Sequence, residues 1–150
     1  MDYRRSIDKL EKWLTTKGYR LIKGTEKHIE DEMWYEKKIV FLSLRSTLEH
    51  QLYSLLHECG HVMIRQKEKT YSARFKTVKE SEKNPQKEKT YRYIVEEIEE
   101  EIEAWRKGEK LSEKLKLNLN SDIYYKYGSR LVMSYIKLAQ IQNKSSNDKK

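Results

Sequence analysis

The sequence predicts an α+β fold in which a small antiparallel sheet packs against a helical core. Two observations support this prediction. Apolar residues recur every three or four positions in several long segments, as they do in amphipathic helices, and short alternating or β-branched runs between residues 19 and 44 are typical of strands. The chain has 150 residues, which is enough for one domain with its own core.

The first half of the chain divides into a helix, a group of strands and a central helix. Residues 3–16 have the apolar spacing of an amphipathic helix. Residues 19–22 and 34–44 contain the runs that predict strands. Ser46 and Glu49 have the spacing of a capping box, so we expect the central helix to begin at Ser46.

The second half contains a basic segment and two further long helices. Residues 67–90 lack periodicity and include the only proline, which predicts a mobile basic loop with a short helical piece around residues 71–75. Helical spacing then predicts helices over about 90–107 and 121–142. We therefore expect a single domain over residues 1–142, followed by a disordered basic tail over 143–150.

The composition indicates a folded, highly charged protein without disulfides. Charged residues make up 37% of the chain, the formal net charge is +8, and there are 11 tyrosines but one cysteine. A single cysteine fits a reducing compartment, and no apolar run is long enough to cross a bilayer, so we expect a soluble cytoplasmic protein. The basic surface could attract nucleic acid, but no aromatic or glycine pattern of a nucleic-acid module accompanies it.

The central helix contains an H-E-x-x-H motif, His57-Glu58-Cys59-Gly60-His61. Residues four apart lie one above the other on a helix, so two imidazoles can bind one zinc ion while the intervening glutamate accepts a proton from water. The apolar residues of this helix cluster on the face of Cys59, and the two histidines fall on the opposite face. Histidines that only packed in a core would lie within the apolar stripe.

A catalytic zinc ion usually has three protein ligands, and the remaining histidines are poor candidates for the third. His50 is expected to be a surface histidine, about 10 Å along the same helix from the motif. His28 lies in a charged loop. A longer motif with a third histidine is excluded, because Ile64 and Lys67 occupy the positions that would require glycine and histidine.

The better candidates are the glutamates of residues 96–103. With about 100° per residue, Glu101 falls at the edge of the apolar face of the predicted helix, and Glu97 falls slightly further out. That apolar face comprises Tyr91, Ile94, Val95, Ile98, Ile102 and Trp105. The glutamates expected to point away from it are Glu96, Glu99, Glu100 and Glu103. We predict Glu101 as the third ligand, Glu97 as the second choice and Glu100 behind it.

Glu101 also lies in a stripe that could face another helix. Glu97, Glu101, Ala104 and Gly108 follow one another at helical spacing. The small residues in this stripe would let a second helix approach closely, as a shared metal ion requires.

With these residues in place, the chain resembles the gluzincin-like metallopeptidases, and among them the ImmA/IrrE-type proteins and their shorter relatives from phages and mobile elements. The resemblance depends on residues 55–62, Leu-Leu-His-Glu-Cys-Gly-His-Val, and on Glu101-Ile102-Glu103-Ala104, which fits the E-x-E-A motif of that family. It covers roughly residues 36–108. Beyond Ala104 the chain departs from the family pattern, so repressor cleavage, known for some relatives, is not carried over.

The resemblance implies a zincin-like core made of an active-site helix, a glutamate-bearing helix and a C-terminal helix. His57, His61 and Glu101 would bind one Zn²⁺ ion, and Glu58 would be the catalytic acid/base. In related enzymes an extended substrate pairs with the edge strand before the active-site helix, which here would lie within residues 39–44.

The sequence therefore predicts a zinc-dependent metallopeptidase that hydrolyses peptide bonds of a protein or peptide substrate. The alternative is a non-catalytic, metal-containing protein that binds a host protein or DNA through its basic surface. A deformylase-like hydrolase is a third alternative, but it needs a cysteine ligand and Cys59 points away from the histidines. Candidate oxyanion donors, each expected mainly to pack in the core, are Tyr124, Tyr125, Tyr127 and Tyr135.

Overall fold

The computed structural model describes the backbone of residues 1–147 and the side chains of residues 1–141. This part of the chain contains six α-helices, a three-stranded sheet and one 3₁₀-helix, which confirms the predicted α+β class. In chain order the elements are α1 (Tyr3–Thr16), β1 (Arg20–Gly24), β2 (Glu32–Trp34), β3 (Ile39–Ser43), α2 (Leu48–Arg65), α3 (Glu68–Arg74), α4 (Lys76–Ser81), the 3₁₀-helix (Pro85–Lys89), α5 (Tyr91–Lys114) and α6 (Ser121–Asn147).

The sheet is mixed, and β3 lies at its centre. β1 pairs with β3 in parallel and β2 pairs with β3 antiparallel, in the order β1-β3-β2. The predicted antiparallel pairing is therefore correct for β2 and wrong for β1. β3 takes the centre because it is the most apolar strand, with Val40 and Leu42 fully buried. The prediction of an edge strand within residues 39–44 is also wrong, because both edges of β3 are paired.

The central helix α2 is buried along most of its length. It packs against α1, the sheet and α5. Leu52, Leu55, Leu56 and Cys59 are fully buried in the main core, which also receives residues from α1 and β3. Because Cys59 belongs to this core, it is not available as a metal ligand.

The N-terminus of α2 differs from the predicted capping box. The cap is Thr47 rather than Ser46, and its hydroxyl accepts a hydrogen bond from a backbone N–H of the first turn at 3.3 Å. Glu49 does not reach back to the cap. Its carboxylate instead accepts hydrogen bonds from the hydroxyls of Tyr3 at 2.8 Å and Tyr53 at 3.0 Å. The Glu49 carboxylate is therefore bound by tyrosine hydroxyls and not by the backbone N–H of the cap residue, as a capping box would require.

Residues 67–90 are mainly helical, and the prediction of a loop there is wrong. The two short helices α3 and α4 and the 3₁₀-helix occupy most of the segment. Tyr71, Phe75 and Val78 are buried together in a second small core and follow helical spacing. The short helical piece expected around residues 71–75 overlaps α3, whereas α4 and the 3₁₀-helix were not expected, because few apolar residues stand among many charges.

The helices α5 and α6 both extend beyond their predicted ends. Gly108 lies inside α5 rather than at its end, and a Cβ atom at this position would lie 2.6 Å from the carbonyl oxygen of Leu56 on α2. Glycine is needed here for close packing of the two helices, not for a cap. The backbone of residues 143–147 continues α6 into the predicted tail, and residues 148–150 lie outside the described residues.

Across the described part of the chain, no helix combines the length and apolar composition that a bilayer crossing requires.

Candidate metal centre

Three side chains from α2 and α5 converge on one point. His57 Nε2 lies 3.0 Å from one carboxylate oxygen of Glu101 and 3.2 Å from His61 Nε2. His61 Nε2 lies 3.3 Å from the other carboxylate oxygen. Among the side chains that the structure describes, His57, His61 and Glu101 form a group that could hold a metal ion. One turn of α2 supplies the two imidazoles, and the packing of α5 on α2 supplies the carboxylate.

The separations between the two imidazole nitrogens and the Glu101 carboxylate suit a tetrahedral metal ion of the size of zinc. Metal–ligand bonds of about 2.0–2.1 Å at tetrahedral angles place ligand atoms about 3.3–3.4 Å apart. The nitrogen–nitrogen distance of 3.2 Å is close to that value, and so are the distances of 3.0 and 3.3 Å from the two nitrogens to the two different oxygens of Glu101. Three protein ligands leave a fourth position for water, as in catalytic zinc sites, whereas structural sites are usually closed by four side chains.

Glu101 is the only one of the three candidate glutamates that lies close to both histidines. Glu97 accepts a hydrogen bond from the hydroxyl of Tyr93 at 3.3 Å, and burial raises the pKa of its carboxyl group. Glu100 lies 3.2 Å from Nδ1 of His61, on the opposite edge of the imidazole ring from Nε2. Glu101 therefore contacts the Nε2 atoms of both histidines, whereas Glu100 contacts only Nδ1 of His61.

The prediction that Glu96 and Glu100 point to solvent is wrong, because each is 5% exposed. Glu96 accepts hydrogen bonds from the backbone N–H groups of Thr77 at 2.6 Å and Val78 at 3.1 Å, in the first turn of α4. A carboxylate is favourable beside the unpaired N–H groups of a helix N-terminus. Nothing local to Glu96 in the sequence indicates these partners, which lie 18 and 19 residues away.

The helix α5 packs on α2 through small residues and Trp105, at one edge of its apolar face, rather than through the whole of that face. Ala104 and Gly108 are buried at this contact. Tyr91 and Val95, which were predicted to lie on the buried face, are 70% and 54% exposed. Small side chains allow two helix backbones to approach closely, and that approach brings the glutamate stripe to the histidines.

Gly60, inside the H-E-x-x-H motif, is needed for this approach. A Cβ atom at this position would lie 2.7 Å from the carbonyl carbon of Ala104 and 2.9 Å from its Cα, and it would overlap the carbonyl oxygen. The neighbouring atoms are backbone atoms of α5, so relief requires movement of the helix that contains Glu101. The short distance between α2 and α5 and the geometry of the metal centre therefore depend on the same glycine.

We expect Gly60→Ala to lower the free energy of unfolding of the metal-free protein by about 1–3 kcal/mol, the usual cost of overpacking, and to weaken zinc binding. Denaturant unfolding and zinc titration measure the two effects. Gly18→Ala is the matched control, because Gly18 has a φ of +79° and no atom within 4 Å of an added Cβ. It should cost about 1–2 kcal/mol of stability and leave the zinc Kd unchanged. Equal zinc affinities for Gly60→Ala and the wild type would contradict the prediction.

The two histidines have different surroundings. The ring of His57 stacks on Trp105, with centroids 4.4 Å apart, and its Nδ1 is buried with no hydrogen-bond partner among the described residues. Burial lowers the pKa of His57. Burial also acts against protonation of His61, but the carboxylates of Glu101 and Glu100 outweigh it and raise the pKa of His61 well above its ordinary value.

Zinc affinity should therefore increase with pH beyond neutrality. Because its pKa is raised, His61 keeps its proton to a higher pH than an ordinary histidine in the metal-free protein, and the metal must displace that proton to bind. At pH values below the pKa of His61, where zinc displaces one proton, the zinc Kd should fall about tenfold for each unit by which the pH rises. Calorimetric titration at several pH values, in buffers of different ionisation enthalpy, measures both the Kd and the protons released. A zinc Kd that stays constant above about pH 6.5, the ordinary pKa of an imidazole, would contradict this prediction.

Glu58 is buried beside the three potential ligands. Its side chain is 6% exposed and lines the same cleft as His57 and Glu101. Burial and the nearby negative charge of Glu101 raise the pKa of its carboxyl group to about 8, against the lowering effect of His61. A positive charge among the three ligands would favour the ionised form, which is the form that can accept a proton.

The cleft around these residues consists of two cavities of about 490 and 240 Å³. Both are lined by His57, Glu58 and Glu101, so the site lies where the two spaces meet. Leu131 and Ser134 of α6 line the larger cavity. This volume is comparable to that of pockets that bind small molecules or a few residues of a peptide.

The opposite wall of the cleft is formed by the end of the loop before β2 and by β2 itself. Asp31 lines both cavities, and Glu32 and Met33 line the smaller one. Within the described residues, the backbone of β2 is paired on one side only, to β3. The edge strand beside the site is therefore β2, and not the predicted segment within residues 39–44.

The four candidate tyrosines occupy different positions. Tyr124 is fully buried and donates a hydrogen bond to a backbone carbonyl of α5 at 3.1 Å, which is the expected packing role. Tyr125 donates to Glu109 at 2.6 Å. Tyr127 lines only the larger cavity, whereas Tyr135 lines both cavities and is 42% exposed. Of the four tyrosines, Tyr135 is therefore the one that lines both parts of the cleft.

The two remaining histidines are not part of the metal-binding group. His28 is exposed in the loop between β1 and β2. His50 was predicted to be a surface histidine, but it is half-buried and stacks on Tyr127 with ring centroids 4.5 Å apart. Its role is in packing α2 against α6.

Comparisons of the chain with protein-family models, with curated proteins and with solved structures gave no significant match. The assignment of the site therefore depends on the identity and geometry of its side chains.

Proposed function

We propose that this protein is a cytoplasmic zinc-dependent metallopeptidase related to the ImmA/IrrE-type gluzincins, with His57, His61 and Glu101 as zinc ligands. The observation that supports this most strongly is the convergence of two imidazole nitrogens and one carboxylate at separations of 3.0–3.3 Å, with Glu58 in the same cleft. Each residue type and its spacing agrees with the H-E-x-x-H chemistry of metallopeptidases.

Zinc at this site would lower the pKa of a water molecule toward ~7 and polarise the carbonyl of the bond to be cleaved. Glu58 accepts a proton from the attacking water and then donates it to the nitrogen of the leaving amine. Its burial supports this role, because a poorly solvated carboxylate is a stronger base than one in water. His57 and His61 remain neutral and hold their Nε2 lone pairs toward the ion.

The substrate in this proposal is an extended peptide that lies along the free edge of β2. Main-chain pairing with an edge strand would align the peptide between the acidic end of β2 and the α6 wall. Tyr135 is the proposed donor to the carbonyl oxygen. Burial raises the pKa of its hydroxyl to about 12, so Tyr135 keeps its proton and can donate it in a hydrogen bond at neutral pH.

The proposal is tested by incubating the zinc-loaded protein with a cell lysate and mapping the protein N-termini that appear. A parallel sample treated with a chelator is the control. We expect a limited set of new N-termini that is absent from the chelated sample. A protein that binds one equivalent of zinc and generates no new N-terminus would favour the non-catalytic binding function instead.

A further inference from the structure

Glu100 is a buried carboxylate that contacts a proposed metal ligand. One of its oxygens lies 3.2 Å from His61 Nδ1 and also accepts a hydrogen bond from Arg65 Nε at 3.2 Å. The other oxygen accepts a hydrogen bond from the hydroxyl of Tyr71 at 2.9 Å. Three side chains from two elements therefore contact this carboxylate: α2 provides His61 and Arg65, and α3 provides Tyr71.

These contacts pair and hydrogen-bond the buried carboxylate of Glu100 on both of its oxygens. A buried carboxylate is costly unless it is paired and hydrogen-bonded, and Arg65 and Tyr71 meet this requirement. Burial alone would raise the pKa of Glu100, but His61, Arg65 and Tyr71 hold it below its ordinary value. The side chain of Arg65 is itself 20% exposed, so the pair lies at the border of the core.

The geometry of His61 gives this carboxylate a specific effect. A histidine that binds a metal through Nε2 carries its proton on Nδ1, and an acceptor at Nδ1 fixes the tautomer, orients the ring and makes Nε2 more basic. His61 Nε2 points to the shared site, and its Nδ1 points to Glu100. His57 has no such acceptor among the described residues, because its Nδ1 is buried without a partner.

We infer that Glu100 is a positioning residue that acts through His61, fixing the Nδ1–H tautomer and the ring orientation needed for metal binding, with Arg65 and Tyr71 holding Glu100 in place. This inference rests on the proposed function, since it assumes a metal ion bound by the three ligands. It also assigns different roles to adjacent residues of α5: Glu101 binds the ion and Glu100 orients a ligand of the ion.

Zinc affinity measured by competition with a chromogenic chelator is the first test. Loss of an outer-shell partner typically weakens metal binding by about 10–100-fold, and we expect Glu100→Gln to raise the zinc Kd within that range. Glu97→Gln is the matched control, because Glu97 is on the same helix, is partly buried and is hydrogen-bonded only to Tyr93 among the described side chains. Its zinc Kd should equal that of the wild type.

Tyr71→Phe provides a second variant in case Glu100→Gln folds poorly. It removes one hydrogen bond to the carboxylate and leaves the Arg65 pair intact, so it should raise the zinc Kd by less than Glu100→Gln does. A melting curve for each metal-free variant shows whether the fold has been kept.

The ring protons of the two histidines provide a readout that a general loss of stability would not produce. In the zinc-loaded wild type, the His61 Nδ1–H proton should resonate at low field because it is hydrogen-bonded to a carboxylate. In Glu100→Gln it should move upfield, while the signals of His57 stay unchanged. Long-range ¹H–¹⁵N spectra of selectively labelled protein measure both rings.

The possible outcomes separate this inference from the function on which it rests. A wild-type protein that binds no zinc would overturn the proposed function itself. A wild type that binds zinc, together with Glu100→Gln of equal affinity or with an unchanged His61 Nδ1–H resonance, would leave the metal centre intact and overturn the role of Glu100.

Discussion

Glu58→Gln is expected to bind one equivalent of zinc and to lose peptide cleavage. The amide has almost the same size as the carboxyl group but cannot accept a proton from water, so the ligands are preserved while the general base is removed. General acid–base groups usually contribute about 10²–10⁴-fold to the rate, and the loss should fall in that range. Zinc content and the rate of appearance of new N-termini in a lysate measure the two properties separately.

A matched control for this variant is Glu99→Gln, which makes the same chemical change at an exposed position of α5. It should cleave at the wild-type rate. Cleavage by Glu58→Gln at the rate of Glu99→Gln would contradict the mechanism, whereas loss of both zinc and cleavage would indicate that the substitution had disturbed the ligands instead.

His57→Ala and Glu101→Ala should each abolish stoichiometric zinc binding at micromolar concentrations. Each variant removes one of the three proposed ligands. The loss of zinc affinity should therefore be larger than the ~10–100-fold loss that follows removal of an outer-shell partner. Because metal binding stabilises only the folded state, the zinc-dependent increase in melting temperature should disappear as well. Metal analysis after dialysis and thermal melts with and without zinc measure these effects.

The chain offers a control for each of these two ligand variants. His50→Ala removes another histidine from α2, and Glu97→Ala removes another glutamate from α5, but neither residue belongs to the three-ligand group. Both variants should retain one zinc ion per chain. Zinc binding by Glu101→Ala together with its loss in Glu97→Ala would instead identify Glu97 as the third ligand, which was the second choice from the sequence.

Features set by local periodicity could be predicted from the sequence. The bounds of α1 agree with the prediction, and β3 lies within the predicted segment, whereas β2 begins at Glu32 and shares only Trp34 with that segment. The stripe formed by Glu101, Ala104 and Gly108 was recognisable because helical geometry fixes which residues share a face. The same geometry placed both histidines of the motif on one side of α2, where the structure brings their Nε2 atoms within 3.2 Å of each other.

Features set by partners distant in the sequence could not be predicted. The helices of residues 67–90 are stabilised by the burial of three apolar side chains. They are also stabilised by Glu96 of α5, which accepts hydrogen bonds from backbone N–H groups of α4. Glu96 and Glu100 looked like part of a solvated acidic face, because a sequence shows charge but not the partner that compensates it. The parallel position of β1 also required knowledge of which strand the core would bury most completely.

The sequence by itself determined the chemistry available to this protein: two imidazoles one turn apart, a glutamate between them and a stripe of glutamates and small residues on a later helix. The tertiary structure decided which glutamate meets the histidines. That choice depends on the distance between α2 and α5 and on the rotation of α5 about its axis. The distance is short because Gly60 and Gly108 have no side chain at the contact. Packing sets both quantities, and at this contact it favoured the small residues and Trp105 over the rest of the apolar face, which left Tyr91 and Val95 exposed.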